Sequence, residues 1–90
     1  MPVFRIISPL RSYTGGNAEV PVQGASVAEA VDSLLHAYPS MRPHLCTKEG
    51  ALRPFVNLYL NGDNVRDLQG METRLKEEDR LLLVLSISGG

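Results

Sequence analysis

The sequence is poor in cysteine and has no excess of either charge, and each shortage excludes a class of protein. Its one cysteine, Cys46, cannot form a disulfide within the chain. Nine Lys and Arg residues against ten Asp and Glu residues give a net charge of −1, without the basic excess of nucleic-acid-binding domains. No apolar run approaches the ~20 residues that span a bilayer, and the amino end is too short for a signal peptide. We therefore expect a cytoplasmic domain with neither a nucleic-acid nor a membrane partner.

Motifs that would make the chain an enzyme are also missing. Neither G-x-x-x-x-G-K-[ST] nor G-x-G-x-x-G occurs, so nothing predicts nucleotide binding. No Ser/His/Asp set or supported carboxylate pair predicts hydrolase chemistry. His36, His44 and Cys46 lack a fourth ligand and the usual spacing of a zinc site. We expect no bound cofactor, no metal and no enzymatic activity, and Cys46 is interpreted as a lone thiol without a sulfur-relay role.

The ninety residues, 43% of them apolar, are enough for one domain with a real core. Its clearest element is a helix that starts at Ser26. Ser26 and Glu29 form a capping box, in which the hydroxyl accepts a helix N–H and the carboxylate bonds back to the Ser26 N–H. Pro39 ends the helix. One face carries apolar residues at helical spacing: Val27, Ala30, Val31, Leu34, Leu35 and Tyr38.

Strand signals lie on both sides of this helix. β-branched and aromatic residues predict a strand over 3–8, and alternation predicts its hairpin partner over 18–24, which Pro21 places at a sheet edge. Alternating residues predict a strand over 55–62, closed by an Asn-Gly turn, with a short return strand after it. The almost continuously apolar 80–87 predicts a central strand.

The connections between these elements are less regular. The stretch 40–54 is expected to hold a short helical turn near Met41–Leu45, followed by a loop. Leu68, Met71 and Leu75 are expected to anchor the last connection in the core. The element order predicts an α+β fold: a mixed four- to five-stranded sheet wrapped on one main helix, with the first strand parallel to the last.

Four stretches resemble one family. "LRSYTGG", "RPFVNLYLNGDNVR", "LKEEDRLLLVLSISGG" and the capped helix are similar to the β-grasp (ubiquitin-like) sulfur carriers of the MoaD/ThiS family. This family includes the small subunit of molybdopterin synthase and the thiamine-pathway carrier. The resemblance covers essentially the whole chain. The "LR…TGG" loop and the "RPFVN" motif look most like the actinobacterial-type carrier of cysteine biosynthesis.

The resemblance implies a function for the terminal glycines. An E1-like adenylyltransferase/sulfurtransferase would use ATP to adenylate the Gly90 carboxylate, beside Gly89. Sulfide or a persulfide would then displace AMP and leave a thiocarboxylate. Activation is needed because an ionised carboxylate is a poor electrophile at neutral pH. The first expected acceptor is a cysteine-synthase-like enzyme; molybdopterin, thiamine and tRNA thiolation pathways stay open.

The composition of the carboxyl end suits this role. We expect a single carrier domain over 1–90 with a flexible tail over 86–90. Five extended residues reach roughly 17 Å, enough to thread a narrow channel in a partner. Glycine lets a nucleophile approach the terminal carboxyl closely. Ile87 and Ser88 are predicted to contact the partner along this path.

A docking surface is predicted beside the tail. If Leu81, Leu83 and Leu85 face the helix, the alternate residues of the sheet form an exposed apolar patch, typical of a partner surface. The patch would consist of Ile7, Phe55, Tyr59, Leu82 and Val84. A strand register shifted by one residue would instead put these side chains in the core. The free carrier is expected to be a monomer.

Two other functions stay open from the sequence. One is a ubiquitin-like protein modifier joined through Gly90 to lysines of its targets. Its own lysines are only Lys48 and Lys76, which argues against elaborate chain building but not against single conjugation. The other is a β-grasp interaction module whose glycine tail is incidental.

Overall fold

In a computed structural model of the protein, the described residues are 1–85; the predicted tail over 86–90 lies outside them. Residues 1–85 form five strands, two α-helices and four 3-10 turns. The strands are β1 Val3–Ile6, β2 Glu19–Pro21, β3 Val56–Leu60, β4 Asp63–Asn64 and β5 Arg80–Leu85. The helices are α1 Val27–Ala37 and α2 Arg42–Leu45. The 3-10 turns span Ser8–Thr14, Pro39–Met41, Val65–Asp67 and Gly70–Glu72.

The five strands form one mixed sheet in the order β2-β1-β5-β3-β4. β5 lies at its centre, parallel to β1 and antiparallel to β3. β2 pairs with β1 in an antiparallel hairpin and forms an edge, where the missing N–H of Pro21 is tolerated. The predicted α+β class, the central last strand and its parallel pairing with the first strand are confirmed.

Helix α1 covers one face of the sheet with the predicted apolar stripe. The Ser26 Oγ accepts the Glu29 N–H at 3.3 Å, as the capping box requires. The reciprocal bond differs from the prediction, because the Glu29 Oε1 accepts the Ala25 N–H at 3.0 Å rather than that of Ser26. The backbone of Ser26 is extended and forms an isolated β-bridge with Arg74. In this geometry the Glu29 carboxylate bonds to the N–H of the residue before Ser26.

The core lies between α1 and the inner face of the sheet. Its fully buried side chains come from every major element, including α2. The largest of them are Phe4, Ile6, Leu34, Met41, Leu45, Leu81 and Leu83.

The anchors predicted for the last connection were partly wrong. Leu68 and Met71 are exposed, and only Leu75 packs against the core. The segment folds as two separate 3-10 turns, Val65–Asp67 and Gly70–Glu72, and its buried residues are Val65 and, after the second turn, Thr73.

The connection over 40–54 contains the predicted helical turn, α2. A short loop follows it, closed by a bridge between Cys46 and Leu52. The predicted turn between β3 and β4 is also confirmed: Asn61 and Gly62 have φ values of 50° and 95°, the left-handed pair that a two-residue hairpin needs.

Candidate functional site

The predicted register of the central strand is confirmed. Leu81 and Leu83 are fully buried on the helix side, whereas Leu82 and Val84 are half-buried on the opposite face. Leu82 pairs with Arg5 of β1 and with Tyr59 of β3. The outer face of the sheet therefore carries an apolar strip along β5, open to solvent.

An open depression of about 350 Å³ lies on this outer face. Leu82 and Tyr59 contribute to its lining, together with the cationic residues Arg5 and Arg80. Arg80 forms an ion pair with Glu19 at 3.3 Å, in which both side chains are more than half exposed. Such an exposed ion pair contributes little to the free energy of unfolding. Arg80 and Glu19 therefore leave the outer face of the sheet accessible to a binding partner.

Two of the five residues predicted for this face lie elsewhere. Ile7 follows the end of β1, where its carbonyl accepts the Leu10 N–H of a 3-10 turn, and its side chain packs against the core. Phe55 precedes β3 in a turn closed by the Val56 N–H and the Arg53 carbonyl. Strand alternation does not extend through these turns, so the predicted patch is reduced on the sheet to Tyr59, Leu82 and Val84.

Phe55 instead lines a groove at the carboxyl end of β5, which we call the exit groove. It has a volume of about 440 Å³. The Tyr13 and His44 rings stack in it with centroids 4.5 Å apart. The Arg53 Nε donates to the Pro43 carbonyl at 3.1 Å and joins its two sides. Its lining comes from three separate segments: Pro9, Leu10, Tyr13, Pro43, His44, Arg53, Phe55 and Leu85.

The exit groove was not foreseen from the sequence. Its one visible signal was the set of prolines and aromatic residues in the loops over 9–13 and 43–55. Leu85, the last residue that the structure describes, is one of the lining residues of the groove.

Arg66 holds the neighbouring start of β3, another role that the sequence did not reveal. Its guanidinium donates to the Asn57 Oδ1 at 3.2 Å, the Pro54 carbonyl at 3.2 Å and the Val56 carbonyl at 3.1 Å. Because Val56 is the register partner of Leu85, this one side chain fixes the strand against which β5 ends.

The opposite end of β5 is held by a compact polar cluster. The Asn61 side chain donates to the Asp79 Oδ1 at 2.9 Å and accepts the Arg80 N–H at 3.0 Å. The Lys76 N–H donates to the Asp79 Oδ2 at 2.7 Å. These bonds, that from Lys76 above all, lower the pKa of Asp79 because they favour the ionised carboxylate.

The remaining candidates are Cys46, the histidines considered as metal ligands and the carboxyl-terminal residues. Cys46 is buried, with 4% of its surface exposed. Within residues 1–85, no three His, Cys, Asp or Glu side chains are grouped so that they could hold a metal ion. None of the helices described in that range is long and apolar enough to cross a membrane. Four predicted site residues, Ile87, Ser88, Gly89 and Gly90, lie outside the described residues.

Comparison with known proteins identifies the family to which the chain belongs. The sequence profile of the ThiS family matches residues 4–90. The chain belongs to the ThiS family. This ThiS-family chain is 29% identical over 83 residues to the sulfur carrier protein CysO of Mycobacterium tuberculosis, a match that covers 90% of the chain and 89% of CysO.

Solved structures agree with this assignment. A chain in the crystal structure of the BexX/CysO complex of Amycolatopsis orientalis has a TM-score of 0.88 and 31% identity, with both chains fully covered. The solution structure of small archaeal modifier protein 1 from Methanosarcina acetivorans has the same TM-score at 29% identity, covering 99% of this chain and 95% of that one. The β-grasp fold inferred from the sequence is thereby confirmed.

Proposed function

We propose that this protein is a sulfur carrier whose working group is the carboxylate of Gly90. A carboxylate oxygen attacks the α-phosphorus of ATP on an E1-like enzyme, which releases pyrophosphate and forms an acyl-adenylate. Hydrosulfide then attacks the acyl carbon and expels AMP, which leaves the thiocarboxylate. A persulfide donor would form an acyl disulfide first, and a thiol would have to reduce it. The protein acts as a co-substrate of its partners and not as an enzyme.

The observation that carries this proposal is the ThiS-family match, which runs through Gly89 and Gly90. The fold supports it physically. β5 pairs with β1 as far as Leu83 and with β3 as far as Leu85, so a paired strand precedes the last five residues of the sequence. Five extended residues reach roughly 17 Å, which is enough to bring a carboxylate into a recessed active site.

The outer face of the sheet is the proposed docking surface for the partner enzymes. Tyr59, Leu82 and Val84 supply exposed apolar area that a partner would cover. Ile87 and Ser88 are proposed to contact the walls of the partner's channel. The BexX/CysO complex supports such association, since a chain similar to this one is found there with a second protein.

Cysteine biosynthesis is the pathway that we propose first. The similarity to CysO and the "LR…TGG" and "RPFVN" motifs support it. A cysteine-synthase-like enzyme would accept the sulfur. Because activation requires ATP, the cytoplasm is the proposed compartment.

The test is intact mass spectrometry after incubation with the E1-like enzyme of the source organism, ATP and sulfide. We expect one oxygen of the carboxyl end to be replaced by sulfur. Gly90→Ala should block this exchange because the added Cβ hinders approach to the acyl carbon. Ser86→Ala, in the same segment, is the matched control and should remain competent. If the wild-type mass stays unchanged with an enzyme that is active on its own carrier, the proposal is wrong.

A second candidate function is protein modification through Gly90. The similarity to small archaeal modifier protein 1 favours it, at 29% identity and a TM-score of 0.88. In this case cell extracts should contain higher-mass adducts of the protein that disappear when Gly90 is deleted. Absence of adducts together with thiocarboxylate formation would leave the carrier function alone.

A further inference from the structure

The two edges of the sheet are protected against further strands in different ways. β2 has only three residues and contains Pro21, and a short edge strand with a proline discourages another strand from adding to it. At the opposite edge, β4 pairs with only two residues of β3, Tyr59 and Leu60. No strand among residues 1–85 covers β3 on that side at Val56 and Leu58, a stretch that we call the β3 edge.

The side chain of Arg66 lies where a further strand would pair with the β3 edge. By strand alternation, the backbone groups of Val56 and Leu58 point to this edge, as those of Leu60 point to β4. The carbonyls of Pro54 and Val56 accept hydrogen bonds from Arg66 Nη2 at 3.2 and 3.1 Å. These carbonyls are two residues apart, the interval at which a neighbouring strand binds successive acceptors. One guanidinium group therefore takes the place of two strand N–H donors.

Arg66 is held in this position by both its side chain and its backbone. Its Nη1 donates to the Asn57 Oδ1 at 3.2 Å. Its backbone N–H donates to the Asn64 Oδ1 at 2.9 Å, where Asn64 caps the 3-10 turn that carries Arg66. Because Asn64 is also the last residue of β4, the turn places Arg66 directly after the point where the strand pairing ends.

The β3 edge also borders an apolar depression of about 260 Å³. Its walls include Val56, Leu58, Val65 and Met71, and 37% of the Met71 surface is exposed. Leu68, in the same connection, is 44% exposed. Exposed apolar area beside backbone acceptors that lack a strand partner is the combination that promotes edge-to-edge association.

We propose that Arg66 caps the β3 edge and thereby keeps two copies of this protein from pairing through it. Without the cap, two copies could align β3 antiparallel about a two-fold axis at Asn57, where the Leu58 N–H of each copy reaches the Val56 carbonyl of the other. The cap excludes a second copy in particular because this pairing is self-complementary, with the same donor and acceptor supplied by each copy. The inference concerns the association of the free protein and does not depend on sulfur transfer.

The experiment measures the weight-average mass of the full-length protein by sedimentation equilibrium, over about a hundredfold range of concentration. The variants are Arg66→Ala and Arg66→Met, which both remove the donors, while Met keeps a long apolar side chain. Arg66 is exposed, so both variants should fold. Arg74→Ala is the matched control, because it removes another exposed arginine with the same change in net charge. Asp79→Ala is the control for lost hydrogen bonds, since it removes two of them at the other end of β5.

We expect wild type and both controls to stay monomeric, whereas both Arg66 variants should approach twice the monomer mass as their concentration rises. Hydrogen exchange locates the contact. In Arg66→Ala, exchange at the amides of 55–58 should slow as the protein is concentrated, and exchange in β2 should not change.

Three results would overturn the inference. The first is that both Arg66 variants remain monomeric. The second is that wild type or Asp79→Ala associates as strongly as the Arg66 variants, because association would then not depend on the cap. The third is that the slowed exchange lies in β2 or elsewhere outside the β3 edge.

Discussion

At its Arg80 end, β5 begins in a cluster of short hydrogen bonds among Asn61, Lys76, Asp79 and Arg80. At Leu85, the last described residue, the same strand borders an open groove, and the side chain of Arg66 bonds the neighbouring start of β3. The hydrogen bonds at the Arg80 end join backbone and side-chain groups of adjacent turns. At the Leu85 end the groove contains the exposed ring of Phe55 and the tilted ring pair of Tyr13 and His44.

The difference shows how stability and recognition are separated along one strand. Bonds at the Arg80 end fix the register of β5 between its neighbours, and a one-residue slip would turn Leu81 and Leu83 out of the core. The Leu85 end can then present groups that contribute little to folding. Substitutions at the two ends should therefore differ in their effects on the free energy of unfolding.

The largest loss in the free energy of unfolding, about 2 kcal/mol, is expected for Asn61→Ala. The substitution removes two side-chain hydrogen bonds and puts alanine at a φ of 50°, which strains any residue with a Cβ except Asn or Asp. Urea unfolding followed by circular dichroism at pH 7 measures it. Asn61→Gly relieves the strain but not the lost bonds, so its cost should be smaller. Equal costs would mean that backbone strain plays no part.

Arg66→Ala is expected to cost about 1 kcal/mol, because the Pro54 and Val56 carbonyls lose their donor. Arg66→Lys should restore little, since one ammonium group does not match the planar fork that reaches three acceptors. The control is Arg74→Ala, an exposed arginine, which should change the free energy of unfolding by less than about 0.5 kcal/mol. An Arg66→Ala variant as stable as this control would contradict the role of Arg66.

Asp79→Ala should cost less than about 1 kcal/mol at neutral pH, because the carboxylate is largely in solvent. Its pKa is lowered in the folded protein, so its contribution is present above the unfolded pKa and is lost as the pH falls through the folded pKa. The difference in stability between wild type and variant should thus shrink as the pH falls below about 4. Urea titrations at several pH values test this, with Glu78→Ala as control. A difference that grew on acidification would have the wrong sign.

The smallest effect on the free energy of unfolding is expected for exposed residues of the segment 42–55, which contributes lining residues to the exit groove. Arg42→Glu/Lys48→Glu should change the free energy of unfolding by no more than about 0.5 kcal/mol, since neither side chain has a partner in the described part of the protein. Thermal unfolding at moderate salt is a sufficient measurement. A loss as large as that of Asn61→Ala would show that both ends serve folding and would remove the contrast between them.

Local patterns account for the parts of the fold that the sequence predicted. The helical spacing after Ser26, the alternation before Asn61 and the Asn-Gly turn each depend on neighbouring residues, and each is present in the structure. The apolar run of β5 predicted a central strand with both faces largely covered; the central position is confirmed, whereas Leu82 and Val84 on the outer face are only half-buried.

The predictions failed, or were not made, where tertiary contacts or the ends of secondary-structure elements determine the position of a residue. Alternation does not reveal where a strand stops, so Ile7 and Phe55 were placed on the sheet although both lie in turns. Leu68 and Met71 were expected inside because the sequence does not show that the connection is divided into two separate 3-10 turns, Val65–Asp67 and Gly70–Glu72. The exit groove and the three bonds of Arg66 join segments distant in sequence, which no local pattern specifies.

The parallel pairing of β1 with β5 also affects how the protein is made. The first strand must wait for nearly the whole chain to be synthesised before Val3 can meet Arg80, and contacts of such long sequence separation form slowly. A fragment released before β5 would leave β1 and β3 each with an open edge, which invites aggregation or degradation. A truncated product would not persist as a folded competitor for the partner enzymes.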